Sequence, residues 1–120
     1  MDNDLNIIKR TFNFALYILK LSEQFDERKS SQRIILNQII RSGTSVGANI
    51  EEAQAAESKA DFIHKYSIAL KEARETKYWL NLLKASALVN VNNLDYLINE
   101  SDEICRVVAQ IIINARKRKK

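Results

Sequence analysis

The 120-residue sequence has no proline, two glycines, one cysteine and one histidine. Such a shortage of turn formers excludes collagen-like and turn-rich all-β folds, and a hydrophobic content of 46% excludes a disordered chain. A single cysteine cannot form a disulfide within the chain, which fits a reducing compartment. No apolar run reaches the roughly 18 residues of a membrane span, and the acidic segment 2–4 is unlike a signal peptide. We therefore expect a cytoplasmic protein built from helices.

Length and hydrophobic periodicity predict one domain of the all-α class. The four predicted helices lie at about 4–24, 31–56, 59–86 and 93–116. Helices of matched length joined by short loops form an antiparallel up-down-up-down four-helix bundle. We assign residues 1–115 to this bundle and residues 116–120 to a basic C-terminal tail.

The first and last helices carry more apolar residues than one bundle needs. In the first helix we expect the core face to comprise Leu5, Ile8, Phe12, Ala15, Leu16 and Leu19. A second apolar face of the same helix comprises Ile7, Phe14, Ile18 and Leu21. In the fourth helix the core stripe of Leu94, Leu97, Ile104, Val108, Ile111 and Ala115 is widened by Ile98, Val107, Ile112 and Ile113. The excess indicates a partner surface, unless the bundle simply buries a wide arc of each helix.

Both glycines lie inside the second predicted helix. Its core stripe comprises Ile35, Ile39, Val46, Ile50 and Ala53, and the register of this stripe continues past Gly43 and Gly47. An interior glycine costs a helix roughly 1 kcal/mol relative to alanine, so the segment 41–47 is either a break or a close contact with another backbone. We favour a continuous helix. The start of the third helix is marked by Ser58 and Asp61, which have the spacing of a capping box.

Polar residues follow helical spacing on the second and third helices. They comprise Arg41, Ser42, Ser45, Asn49 and Glu52 in the second helix, and Asp61, Lys65, Glu72, Glu75 and Trp79 in the third. If the two stripes meet, they form a buried hydrogen-bonded network that fixes the register of the helices or the geometry of subunits. The alternative is an ordinary solvated face.

A family resemblance rests on three segments: RSGTSVGANIEEA at 41–53, ESKADFIHK at 57–65 and KEARETKYWL at 71–80. They closely resemble the bacterial four-helix-bundle proteins encoded by intervening sequences in 23S ribosomal RNA genes, also called S23 ribosomal proteins. The resemblance covers nearly the whole chain and implies a barrel-like homopentamer in a family whose biochemical role is largely undefined. The family is similar to the accessory protein of diversity-generating retroelements, which binds a reverse transcriptase and nucleic acid through a basic surface.

Residues for catalysis are scarce. His64 and Cys105 are single, so no zinc set, Ser-His-Asp arrangement or Cys-His pair with spare members can be assembled. Carboxylates are present in the second and third helices, but no Glu-x-x-His motif of a di-metal bundle occurs. We expect no enzyme activity, no cofactor and no metal.

The basic residues indicate a nucleic-acid partner. The tail consists of Arg116, Lys117, Arg118, Lys119 and Lys120, and other candidate phosphate ligands are Lys9, Arg10, Arg28, Lys29 and Arg33. Adjacent cations neutralise phosphates and release counterions, and several copies in a homo-oligomer would act together. We therefore expect a non-enzymatic homo-oligomer that binds RNA or DNA. The alternatives are a protein-interaction scaffold and a tail that is only a solvated helix end.

Overall fold

The computed structural model describes the backbone of residues 3–118 and the side chains of residues 6–118. Its elements are α1 (Asn3–Lys20), a 3₁₀ helix (Leu21–Gln24), α2 (Ser30–Ala53), α3 (Lys59–Ser86) and α4 (Leu94–Lys117). Over the described residues there is no strand, which confirms the all-α class. The side chain of Leu5 and the tail residues Lys119 and Lys120 lie outside the described residues.

The four long helices form an elongated bundle of 51 × 22 × 19 Å. α1 packs against α2 and α4, and α3 packs against the same two helices, so α1 and α3 lie at opposite corners. One end of the bundle, here called the loop end, holds the α1–α2 and α3–α4 connections, where the Gln32 amide donates to the Leu88 carbonyl at 3.3 Å. At the other end, the tail end, the Lys59 ammonium donates to the Arg116 carbonyl, also at 3.3 Å.

The expected core face of α1 is wrong. The buried residues are Ile7, Thr11, Phe14 and Ile18 in α1, followed by Leu21 at the start of the 3₁₀ helix. The face predicted to be buried instead points outward, with 64% of Phe12, 45% of Leu16 and 50% of Leu19 exposed. Both faces are apolar at helical spacing, so periodicity alone did not decide which one faces the core.

The two glycines of α2 explain the choice of face. α2 is continuous through Gly43 and Gly47, as predicted. A Cβ added to Gly43 would lie 2.9 Å from Cγ1 of Ile18, and one added to Gly47 would lie 3.2 Å from the carbonyl oxygen of Thr11. α1 therefore packs directly on the glycines through the face that carries Thr11 and Ile18.

The N-terminus of α3 differs in one bond from the predicted capping box. The Ser58 hydroxyl accepts from the Asp61 N–H at 3.0 Å, as expected. The Asp61 carboxylate accepts at 3.3 Å from the N–H of Glu57, one residue before the cap. α3 ends at Ser86 and is capped by Ala87, whose φ of 55° is left-handed and whose N–H donates to the Leu83 carbonyl.

The stripe predicted for α4 is buried, and Ile112 is buried with it. Ile98 and Val107 are half-buried, whereas 44% of Ile113 is exposed. The additional apolar residues of α4 therefore belong mainly to a wide buried arc. The surplus apolar surface that remains exposed lies chiefly on α1 and on the α2–α3 side of the bundle.

Candidate nucleic-acid interface

A buried pair of hydroxyls joins Ser42, from the polar stripe of α2, to Thr76 of α3. The hydroxyl oxygens of Ser42 and Thr76 lie 2.8 Å apart, and both residues are fully buried. Each hydroxyl is also within hydrogen-bonding distance of the carbonyl four residues earlier in its own helix, at Gln38 and Glu72. The pair thus links the two helices without leaving either oxygen unsatisfied.

A half-exposed ion cluster lies beside this pair. The Arg41 guanidinium forms ion pairs with Glu72, at 3.5 Å, and with Glu75, and it also donates to the Gln38 side-chain oxygen at 2.8 Å. The Trp79 indole donates to the Glu75 carboxylate at 2.9 Å. These contacts hold the pKa of Glu75 below its usual value of 4.5, chiefly through the indole and then through the guanidinium.

The remaining residues of the two stripes divide between cross-helix and local contacts. Lys65 pairs with Glu52 across the helices at 2.8 Å, and this hydrogen bond raises the pKa of Lys65. Ser45 and Asn49 bond to carbonyls of their own helix, and Asp61 serves the start of α3. The predicted network therefore exists in part, and most of it is accessible to solvent.

The basic residues singled out in the sequence do not form one surface. Arg28, Lys29 and Arg33 lie at the loop end, whereas Arg116 to Arg118 lie at the tail end. With α3 spanning 28 residues, the two groups are separated by roughly 40 Å at 1.5 Å per residue. One continuous phosphate-binding patch cannot include both groups.

Two of these candidates are already neutralised by carboxylates. Arg10 forms a two-point ion pair with Glu100, with N–O distances of 2.8 and 2.9 Å, and this pair raises the pKa of Arg10. Arg28 is paired with Asp26 at 3.0 Å. Such arginines make weaker phosphate ligands, because phosphate would have to displace the carboxylate.

A cationic groove between α3 and α4 was missed in the sequence. Its volume is about 350 Å³, and its lining comprises Ser67, Leu70, Lys71, Arg74, Ala109, Ile112, Ile113 and Arg116. Over the described part of the chain, none of the three cations has a carboxylate within 4.0 Å. The available signal was the spacing of Ser67, Lys71 and Arg74, which puts these three residues on one helical face.

The described part of the basic tail, residues 116–118, continues from this groove. Arg116 and Lys117 belong to the last turn of α4, so the start of the predicted tail is helical. The Lys59 ammonium donates to the carbonyls of Arg116 and Arg118, which adds another cation at the tail end. Cations at the C-terminus of α4 also interact favourably with the negative end of the helix dipole.

The histidine and the cysteine lie apart from these contacts. His64 is exposed on α3, and Cys105 is half-buried on α4, where burial raises the pKa of its thiol. Among residues 6–118, no group of three His, Cys, Asp or Glu side chains could hold a metal ion. No helix within the described range is both long and apolar enough to span a membrane.

Comparison with known proteins decides the family. The model of the family described as 23S rRNA-intervening sequence protein matches residues 3–110. The chain belongs to this family. It is also similar to a crystal structure, at 1.70 Å resolution, of a protein of unknown function from the S23 ribosomal protein family of Bacteroides thetaiotaomicron. The two chains are 39% identical with a TM-score of 0.81, over 93% of this chain and 99% of that one.

The family match confirms the resemblance seen in the three sequence segments. A comparison with curated proteins gives no significant match. The related structure is described only as a protein of unknown function. Membership in the 23S rRNA-intervening sequence family therefore establishes the ancestry and the fold, and the activity has to be argued from surfaces of this chain.

Proposed function

We propose that this family member is a non-enzymatic, self-assembling helical bundle of the bacterial cytoplasm that binds RNA or another nucleic acid by its phosphates. The observation that carries the proposal is the convergence of Lys71, Arg74 and Arg116 on one groove. Unlike Arg10 and Arg28, these three cations have no carboxylate within ion-pair distance among the described residues. Their charge is available for phosphates, and Lys117 and Arg118 follow Arg116 at the C-terminal end of α4.

The lining of the groove favours binding that does not depend on sequence. Leu70 and Ile112 supply apolar surface, and Ser67 supplies a hydroxyl that can donate to phosphate. Among the described residues, no aromatic side chain lines the groove, so stacking on unpaired bases is not expected there. Affinity should therefore come from counterion release and fall steeply with salt.

Self-assembly is the second part of the proposal. We propose the antiparallel up-down-up-down order, for which the α3–α4 ion pairs are consistent support: Lys77 pairs with Asp102, and Lys84, later in α3, pairs with Asp95, earlier in α4. The resemblance implies a homopentamer, and the exposed apolar face of α1 supports association. Several cationic grooves in one assembly would bind a long nucleic acid with an avidity far above that of a single copy.

The test compares two variants that lose equal charge at different places. Lys71→Gln, Arg74→Gln and Arg116→Gln together remove the groove cations, and Arg28→Gln, Lys29→Gln and Arg33→Gln together remove three cations at the loop end. We expect the groove variant to lose about tenfold or more in affinity for a fluorescently labelled single-stranded RNA at low salt. The loop-end variant should lose much less. Equal losses would show that only net charge matters and would overturn the groove as the site.

A protein-interaction scaffold without nucleic-acid binding is the second candidate function. It is favoured by an apolar groove of about 400 Å³ between α2 and α3, lined by Ile34, Trp79, Leu82 and Leu88. Capture of partners on the purified oligomer, from lysate with and without nuclease treatment, separates the two. If nucleic acid is recovered and nuclease abolishes the capture of proteins, the nucleic-acid proposal holds. Proteins recovered equally in both cases, without nucleic acid, favour the scaffold.

A further inference from the structure

The outward face of α1 forms an apolar seam with the spacing of a coiled coil. Ile8, Phe12, Ala15 and Leu19 follow one another at steps of four, three and four residues. Ile8 and Ala15 are half-buried, Ile8 against the core of its own bundle, whereas Phe12, Leu19 and the neighbouring Leu16 are exposed. This alternation is the a/d pattern by which one helix packs against others. Within the described chain, α2 and α4 cover the opposite side of α1, while Phe12 and Leu19 remain at least half exposed. The seam thus has the pattern of a helix-packing surface, but no helix of the described chain packs against Phe12 and Leu19.

A second apolar surface lies on a different side of the bundle, in the α2–α3 groove. Ile34 is 60% exposed, and Leu82 and Leu88 are each 41% exposed, at the rim of the groove. Trp79 forms part of its wall. α1 contributes nothing to this groove, because α1 and α3 occupy opposite corners. One chain therefore presents both a projecting apolar ridge and an apolar groove between two helices.

We propose that the α1 seam of one copy packs into the α2–α3 groove of a second copy. Ridges of one helix packing into grooves of others is the ordinary geometry of helix association. Because the two surfaces differ, the contact is heterologous: each copy uses its seam on one neighbour and its groove on the next, which builds a ring or an open chain. The inference rests on the proposed self-assembly and deepens it by naming the two contacting faces.

Charge at the borders of the two surfaces is complementary. Lys9 and Lys20 flank the seam, both are exposed, and neither has an ion pair among the described residues. The groove is bordered by the cluster of Arg41, Glu72 and Glu75, which Trp79 joins through its indole; its two carboxylates face one guanidinium, and Lys71 acts on Glu75 from one turn earlier in α3. The docked seam would bring its lysines towards the Glu72 and Glu75 carboxylates, which favours one orientation of the contact.

The test uses one charged substitution on each surface, Leu16→Asp on the seam and Leu82→Asp in the groove. Both side chains are exposed, so the monomer should fold. The thermal midpoint of each variant, beside that of Asn99→Asp on α4, checks this. By light scattering after gel filtration, we expect the wild-type protein and the Asn99→Asp control to be larger than a dimer and each variant alone to be a monomer.

Mixing the two variants gives the decisive result. In a heterologous contact, the intact groove of the Leu16→Asp chain accepts the intact seam of the Leu82→Asp chain, so an equimolar mixture should form dimers and nothing larger. Variants that keep the wild-type mass, or a mixture that stays monomeric, would overturn the named faces while leaving self-assembly in place. A monomeric wild-type protein would overturn self-assembly itself. RNA affinity, measured separately, tests the groove between α3 and α4 independently of both.

Discussion

The carbonyl oxygen of Thr11 lies 3.2 Å from the position that a Cβ on Gly47 would occupy. This contact between the backbones of α1 and α2 sets the distance between the two helices and turns the Thr11 face of α1 inward. The Thr11 hydroxyl is satisfied within its own helix by the Ile7 carbonyl at 2.8 Å, so a polar residue is accommodated at the contact. The exposed seam on the other side of α1 is a consequence of this packing.

Substitution of Gly47 tests the close contact. Gly47→Leu should lower the free energy of unfolding by about 1–3 kcal/mol, because the side chain would overpack against the α1 backbone. In Gly47→Ala the tight contact opposes a gain of roughly 1 kcal/mol in helix propensity, so a small net change is expected. Urea unfolding of both variants provides the measurement. A leucine tolerated without loss would show that propensity alone governs this position.

The Ser42–Thr76 pair predicts a measurable coupling. Thr76→Val should cost about 0.5–1.5 kcal/mol, because it removes the hydrogen bond between the helices. Ser42→Ala alone should cost a similar amount. The double variant should cost less than the sum of the two, since both partners of the bond are then removed. Additive losses in a double-mutant cycle would contradict the hydrogen bond as a link between α2 and α3.

Glu75 predicts a dependence of stability on pH. The pKa of Glu75 in the folded protein lies below its usual value of 4.5. The ionised carboxylate therefore stabilises the fold fully at a pH above 4.5, and this contribution is lost as the pH falls through the folded pKa. Trp79→Phe removes the first cause of the lowered pKa. The pH-dependent part of the stability difference between the wild type and this variant should therefore disappear on acidification. A difference that is constant from neutral pH to below the folded pKa would contradict the indole–carboxylate bond.

Local signals in the sequence predicted much of the fold. The Ser58 cap places the start of α3 at Lys59, and the single apolar stripe of α4 identifies its core because no second stripe of equal strength competes with it. In α1 two apolar faces compete, and the choice depends on the glycines of α2, which are distant in sequence. No pattern internal to α1 contains that information.

The candidate site was less predictable, because charge becomes available or neutralised through tertiary contacts. Arg10 meets Glu100 across 90 positions of sequence, so its neutralisation was not visible from its neighbours. The sequence around Lys71 and Arg74 is that of an ordinary helix surface, and only the packing of α3 on α4 brings these two residues beside Arg116. A run of basic residues in the sequence therefore does not show which cations of another helix lie beside it in the fold.

Truncation after Arg116 tests the contribution of the tail. Lys117 and Arg118 are exposed, so their removal takes away little buried surface. Lys119 and Lys120, which lie outside the described residues, are removed with them, and helicity and oligomer mass should stay unchanged. RNA affinity should fall for all sequences alike, because the truncation removes four cations that would neutralise phosphates. Circular dichroism, light scattering and fluorescence titration provide the measurements. Unchanged affinity would mean that the tail is only a solvated helix end.

The salt dependence of RNA affinity tests the central claim most directly, because its slope reports how many phosphates a protein neutralises. The difference in slope between the wild type and a groove variant counts those neutralised by Lys71, Arg74 and Arg116. Fluorescence titrations at several salt concentrations would compare the wild type with the triple glutamine variant of the groove. We predict tight binding by the wild type at low salt, and a slope of log affinity against log salt that is flatter in the variant by about 0.7 for each single-strand phosphate that the variant leaves unneutralised. Equal slopes for the two proteins, or no binding by the wild type at low salt, would contradict the account.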